Sequence, residues 1–151
     1  MKRQYIDDRG TKTLEKSVVL VVEDEALIRM NAVQIVVDAG FAVVEAYNAD
    51  EAIKILESRR DIQAVFTDIN MPGSINGLQL SHAIRGRWPP IHLIVTSGLN
   101  VPNGTQLPTN SRFIGKPYTA EQVAIALSEL FGPHLGPSLT YDGCGSRSKV
   151  A

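Results

Sequence analysis

Five short apolar runs, each separated from the next by a longer stretch, constrain the fold of this chain more than any other feature. Residues 18–22, VVLVV, form a continuous β-branched run suited to a strand buried on both faces. Residues 42–46 (AVVEA), 64–67 (AVFT), 92–96 (HLIVT) and 112–115 (RFIG) read as four further strands. Between them the pattern turns helical. Leu27, Met30, Val33 and Val37 recur at helical spacing over residues 25–38, and Gly40 is placed to end that helix. Asn48 with Glu51 resembles a capping box opening a helix to about Ser58. Asn76 can cap a helix to about Gly86, with Leu78, Leu80 and Ile84 available for packing. Thr119 and Gln122 form a capping box ahead of Ala120, Val123, Leu127 and Leu130. Strands that alternate with helices predict an α/β domain with a parallel sheet covered on both faces.

The remaining segments bound the domain. Residues 1–16 are polar and aperiodic and read as a flexible N-terminal arm, leaving residues 17–131 as the domain. Residues 132–151, rich in Gly, Pro and Ser, read as a flexible tail. The stretch SGLNVPNGTQLPTN, residues 97–110, shows no helical period and predicts a long loop, or at most one helical turn. A net charge of −1 gives no footprint for nucleic acid or an anionic membrane. No apolar stretch is long enough to span a bilayer, and the start lacks a secretory signal, so a cytoplasmic location is expected. The single cysteine, Cys144, excludes an internal disulfide framework.

In parallel sheets, ligands bind beyond the carboxyl ends of the strands. Glu23, Asp24 and Glu25 follow the first strand here, and Asp68 follows the third. Thr96 and Ser97 end the fourth, and the fifth leads to Lys116 and Pro117. Clustered carboxylates repel one another unless a cation neutralises them, and oxygen ligands of this kind suit Mg²⁺. Lys116 offers a compact charge for an anion, and the Thr96 hydroxyl can donate to one of its oxygens. An aspartate can itself be the nucleophile, forming an acyl phosphate. The group reads as Mg²⁺-dependent phosphoryl capture on Asp68, which relies on alignment and charge neutralisation.

VVLVVEDE, VFTDINMPG, LIVTSG and FIGKPY, in this order, resemble a two-component response-regulator receiver domain of the CheY-like kind over about residues 17–131. The resemblance implies a flavodoxin-like, doubly wound, five-stranded parallel sheet in the order 2-1-3-4-5. It implies that Asp68 is the phosphoacceptor, Asp24 a direct Mg²⁺ ligand and Glu23 a ligand through water. The Asn70 backbone carbonyl would complete the metal site. Thr96 would be the switch hydroxyl and Phe113 the switch aromatic. Lys116 would bind phosphate, with a peptide bond to Pro117 that is often cis. The implied phosphoryl donor is a sensor histidine kinase or phosphotransfer protein, and an unknown downstream protein reads the switch. Self-catalysed hydrolysis would end the signal, and small residues at Ser97 and Gly98 favour a short-lived state.

Several positions depart from the family pattern. Glu23 replaces the commoner aspartate, and Phe113 lacks the hydroxyl of the usual tyrosine. The loop Gly73-Ser74-Ile75-Asn76 is one residue longer than usual, which predicts a local bulge. The family's fourth helix would fall in residues 97–110 and is expected to be short or irregular, ordering on phosphorylation. Without a recognisable output domain, the expectation is a stand-alone receiver and not an enzyme. Two other classes compete. An aspartyl-phosphate phosphatase needs a second acid two residues after the nucleophile, where this chain has Asn70. A pseudo-receiver, binding partners without phosphate, would have lost the acidic pair, Thr96 or Lys116.

Overall fold

The structure is a computed structural model, and it describes residues 4–6, 12–14, 16–98 and 107–132. The sheet is built from β3 (Val18–Val22), β4 (Ala42–Ala46), β5 (Ile62–Asp68), β6 (His92–Ser97) and β7 (Ser111–Gly115). All four pairings are parallel, and the spatial order β4-β3-β5-β6-β7 is 2-1-3-4-5 when these five are counted in chain order. The fold is therefore the expected flavodoxin-like one. The helices α1 (Ala26–Asp38), α2 (Ala49–Ser58) and α3 (Gly77–Arg87) make the first three crossovers, and with α4 (Ala120–Phe131), which follows β7, they cover the faces.

Two further strands, β1 (Gln4–Ile6) and β2 (Lys12–Leu14), pair antiparallel. The stretch read as an aperiodic arm thus contains a short run of paired backbone. Alternation within three-residue strands is too brief to register as a period.

Each central strand feeds two cores. Leu20 and Val22 of β3 pack with Val65, Leu80, Ile84 and Leu93 under α2 and α3. Val19 and Val21 pack with Ala64, Phe66, Ile94, Val123 and Leu127 under α1 and α4. The period of two sends alternate side chains to opposite faces, as a doubly covered sheet requires. A register shift between Val18 and Val19 places one extra residue on β5. Ile62 and Ala64 consequently join opposite cores.

The helix ends follow their sequence signals. Asn76 with Gln79 and Thr119 with Gln122 form complete capping boxes. At α2, Asn48 accepts from Glu51 N–H, but the Glu51 carboxylate reaches back to Tyr47 N–H at 2.8 Å instead of to Asn48. Gly40, with φ of 100°, follows α1.

The stripe that sets the helical period of α1 points outward. Leu27 is 80% exposed and Met30 62%, while Ala32 and Val36 form the buried face. The helix is apolar nearly all round, so periodicity could not choose its face, and small Ala32 lets it approach the sheet closely. Among the described residues no helix lies between β6 and β7, and residues 99–106 of that connection fall outside them. The expected irregular fourth helix lies largely in that stretch. Most of the arm and the tail from residue 133 onward also fall outside the described residues.

Candidate functional site

The strand order reverses between β3 and β5, and the site lies at their carboxyl ends. β3 stops at Val22, so Glu23 leaves the sheet with its backbone N–H donated to Ala46 O at 3.1 Å. Asp68 ends β5, and Thr96 is its register partner on β6. Glu23, Asp68 and Thr96 are only 4%, 6% and 2% exposed. From β7 the chain turns into Lys116, whose N–H donates to Ser97 O at 3.0 Å. Its ammonium donates to Glu23 Oε1 at 2.8 Å and to Asp68 Oδ2 at 3.0 Å. The Lys116–Pro117 peptide is cis.

One carboxylate oxygen each from Glu23, Asp24 and Asp68 lie within 4.8 Å of one another. Burial pushes the Glu23 carboxyl above its ordinary pKa, outweighing the hydrogen bonds from Lys116 and Glu25 N–H, and the Asp68 charge adds to the rise. Burial also disfavours the Lys116 ammonium, but its hydrogen bonds to Glu23 and Asp68 overcome this and hold its pKa above the ordinary lysine value. Three acids and one lysine leave negative charge uncompensated in a poorly hydrated corner. A hard divalent cation fits this all-oxygen donor set.

The loop after β5 is tied on all sides. Ile69 N–H donates to Thr96 O at 2.8 Å, and Gly77 N–H closes the loop onto Ile69 O at 2.9 Å. Asn70 N–H reaches Asp68 Oδ1 at 3.3 Å, and the Asn70 side-chain amide donates to Ser97 Oγ at 3.2 Å. The longer loop turns at Gly73, with φ of 122°. Ser74 Oγ donates to the Asp50 carboxylate on α2 at 2.7 Å, and Ile75 packs on the core beneath. The expected bulge is thus an anchored turn. A Cβ on Gly77 would lie 1.7 Å from the Asp68 carbonyl oxygen, so only glycine lets α3 begin against the Asp68 backbone.

The family model of the response regulator receiver domain matches residues 19–127. This chain belongs to that family. Among curated proteins, the receiver domain is 30% identical over 127 residues to the sensor kinase CckA of Brucella abortus, covering 82% of this chain and 13% of that protein. It is 34% identical over 118 residues to a putative NtrX-like response regulator of Rickettsia conorii, covering 73% of this chain and 24% of that protein. The chain therefore spans less than a quarter of the length of these relatives. Among solved structures, a response regulator receiver protein from Sinorhizobium medicae superposes with a TM-score of 0.73 at 28% identity, covering 77% of this chain and 94% of that one. Receiver domains bind Mg²⁺ at an acidic pocket and interact with histidine kinases and phosphotransfer proteins; they are signalling modules and not enzymes of the ordinary kind.

Within this receiver domain the structure brings together Glu23, Asp24, Asp68, Asn70, Thr96 and Lys116. Phe113 stands apart. It is half-buried on β7 opposite Val95, facing a shallow groove shared with Ile125 and Arg112. Sequence reasoning missed Arg29, whose guanidinium grips the Glu23 carbonyl, and Tyr118, whose ring packs on Phe66 at 5.5 Å. It also missed the Asn70–Ser97 contact. Such pairings cross elements, and no local spacing encodes them. Trp88 caps α3 and lies half-buried against the core with Arg87 over its ring.

Proposed function

We propose that this receiver domain accepts one phosphoryl group on Asp68 from a phosphohistidine on a sensor histidine kinase or phosphotransfer protein. The observation that carries the reading is the buried Glu23–Lys116–Asp68 constellation at the switch point, with Asp24 alongside. An Asp68 carboxylate oxygen attacks phosphorus, the bond from phosphorus to the donor imidazole breaks, and an acyl phosphate forms. Mg²⁺, when bound, would neutralise the carboxylates and the charge on the phosphoryl oxygens. Asp24, Asp68 and the Asn70 carbonyl would hold it directly, and Glu23 through water. Lys116, already on Asp68, would pair with a phosphoryl oxygen, and the Thr96 hydroxyl on the adjacent strand would donate to another. In moving, Thr96 would free space for Phe113 to turn inward, a change that partners of the β7–α4 face can read.

Donor docking is supported by the surface beside Lys116. A groove of about 500 Å³ is lined mainly by apolar groups of Leu27, Ile28, Pro117 and Tyr118. Leu27 and Met30 extend that apolar surface along α1. The pseudo-receiver alternative is weakened because no member of the acidic pair, Thr96 or Lys116 is lost. Labelling with acetyl phosphate or phosphoramidate tests the reading: the chain gains one phosphoryl group only with Mg²⁺ present, and Asp68→Asn gains none. Equal labelling of Asp68→Asn would overturn it.

A further inference from the structure

Arg29 stands outside the phosphoacceptor constellation, yet it is bonded to the first residue of it. It lies in the first turn of α1, where its own N–H donates to Glu25 O at 2.9 Å. Its side chain is only 20% exposed. Nη1 donates to the Glu23 backbone carbonyl at 2.8 Å, and Nε donates to Glu45 Oε1 on β4 at 3.1 Å. One planar guanidinium therefore spans α1, the turn after β3, and β4. The fork geometry makes both contacts directional.

The Glu23 carbonyl belongs to the peptide plane that leads into Asp24. Because that plane is rigid, holding the carbonyl fixes the unit from which the Asp24 side chain departs. On its other side Glu23 is held by its N–H on Ala46 O, and its carboxylate accepts from Glu25 N–H and Lys116. Arg29 is the side-chain contact on the remaining, carbonyl side. Helix α1 itself adds no side-chain cap to this turn, since Glu25 at its N-cap makes no side-chain cap bond.

We propose that Arg29 is a positioning residue for the acidic pair, holding the Glu23–Asp24 peptide in the orientation that a divalent cation requires. The inference rests on the reading of Glu23, Asp24 and Asp68 as a Mg²⁺ site, and concerns how that site is kept in shape. Two effects of Arg29 oppose each other. As a cation beside the site it repels Mg²⁺, so charge alone predicts tighter binding on its removal. As an orienting partner behind a ligand it supports binding, so its removal weakens it. The sign of the change decides between them.

The test is Mg²⁺ titration calorimetry on the unphosphorylated full chain, with phosphoramidate labelling as a function of Mg²⁺ as the second readout. Arg29→Ala raises the Mg²⁺ Kd by about tenfold, and raising Mg²⁺ recovers its labelling. Glu45→Gln, which keeps the carbonyl contact, stays within about twofold of the unsubstituted chain, as expected for a half-exposed ion pair. Unchanged or tighter binding by Arg29→Ala overturns the proposal. So does labelling that extra Mg²⁺ cannot recover, or an equal loss in Glu45→Gln. If the unsubstituted chain neither binds Mg²⁺ nor labels, the proposed phosphoryl capture on Asp68 itself fails, and the positioning role falls with it.

Discussion

Ion pairs occur at both ends of the five-stranded sheet, and burial separates them. At the carboxyl edge, the Lys116 side chain is 17% exposed and its partners Glu23 and Asp68 are 5% and 7% exposed. At the amino edge, Arg87 and Glu57 are 51% and 50% exposed, and Arg59 and Asp61 are 41% and 50%. Water screens the second set, and each such pair contributes less than about 1 kcal/mol. The first set has lost most of its water and holds an excess of negative charge among its own side chains. Folding alone does not favour that arrangement. Its place at a strand-order reversal, under a helix that starts on a glycine, fits the proposal that a cation and an anion share it.

Helix α3 allows the sharpest test of this contrast, because it has a glycine at each end. Gly77→Ala drives a Cβ into the Asp68 carbonyl and should destabilise the domain by about 3 kcal/mol or more in urea denaturation. Gly86 has open space around its Cα, so Gly86→Ala should stabilise by about 0.5–1 kcal/mol. Equal effects would mean that α3 does not press on the Asp68 backbone.

Lys116→Ala comes next. It leaves Glu23 and Asp68 facing each other without a counter-charge, and should lower stability by about 1–3 kcal/mol near neutral pH while the chain still folds. Adding Mg²⁺ or acidifying should recover much of that loss, and recovery by neither would argue against a strained acid pair.

The pH dependence of the unsubstituted chain is a smaller effect. Glu23 holds its proton more tightly folded than unfolded, so metal-free stability falls as pH rises from the ordinary glutamate pKa upward through the raised one. Lys116, with its pKa also raised, loses its contribution only above the ordinary lysine range and does not enter this window. A Mg²⁺ ion bound as proposed would displace the proton that Glu23 holds, so the rise in melting temperature with Mg²⁺ should grow from acid to neutral pH. An equal rise at both would remove Glu23 from the metal's surroundings. The smallest expected effect is at the amino edge, where Glu57→Gln should change stability by less than about 0.5 kcal/mol and leave labelling unchanged.

Much of this was legible in sequence. VVLVV and AVFT signal doubly buried strands by apolar content alone, and the alternation with helices leads to a parallel sheet. Asp68, Thr96 and Lys116 could be gathered at one edge because each ends or directly follows a strand. The faces of α1 were not legible, since an evenly apolar helix has no preferred side. Nor was the role of Gly77, because a glycine at a loop's end looks the same whether it faces solvent or a carbonyl oxygen. The longer loop looked like an unexplained insertion until Ser74 met Asp50 and Ile75 met the core.

Sequence by itself determined which residues end strands, and so which chemistry collects at the carboxyl edge, because strand and helix periods are local properties. Tertiary structure decided how deeply those groups are buried, that one ammonium is shared by Glu23 and Asp68, and that Arg29 braces the turn carrying the acidic pair. Those are contacts between residues far apart in the chain or on different elements, and only the packing of the sheet against its helices sets their distances.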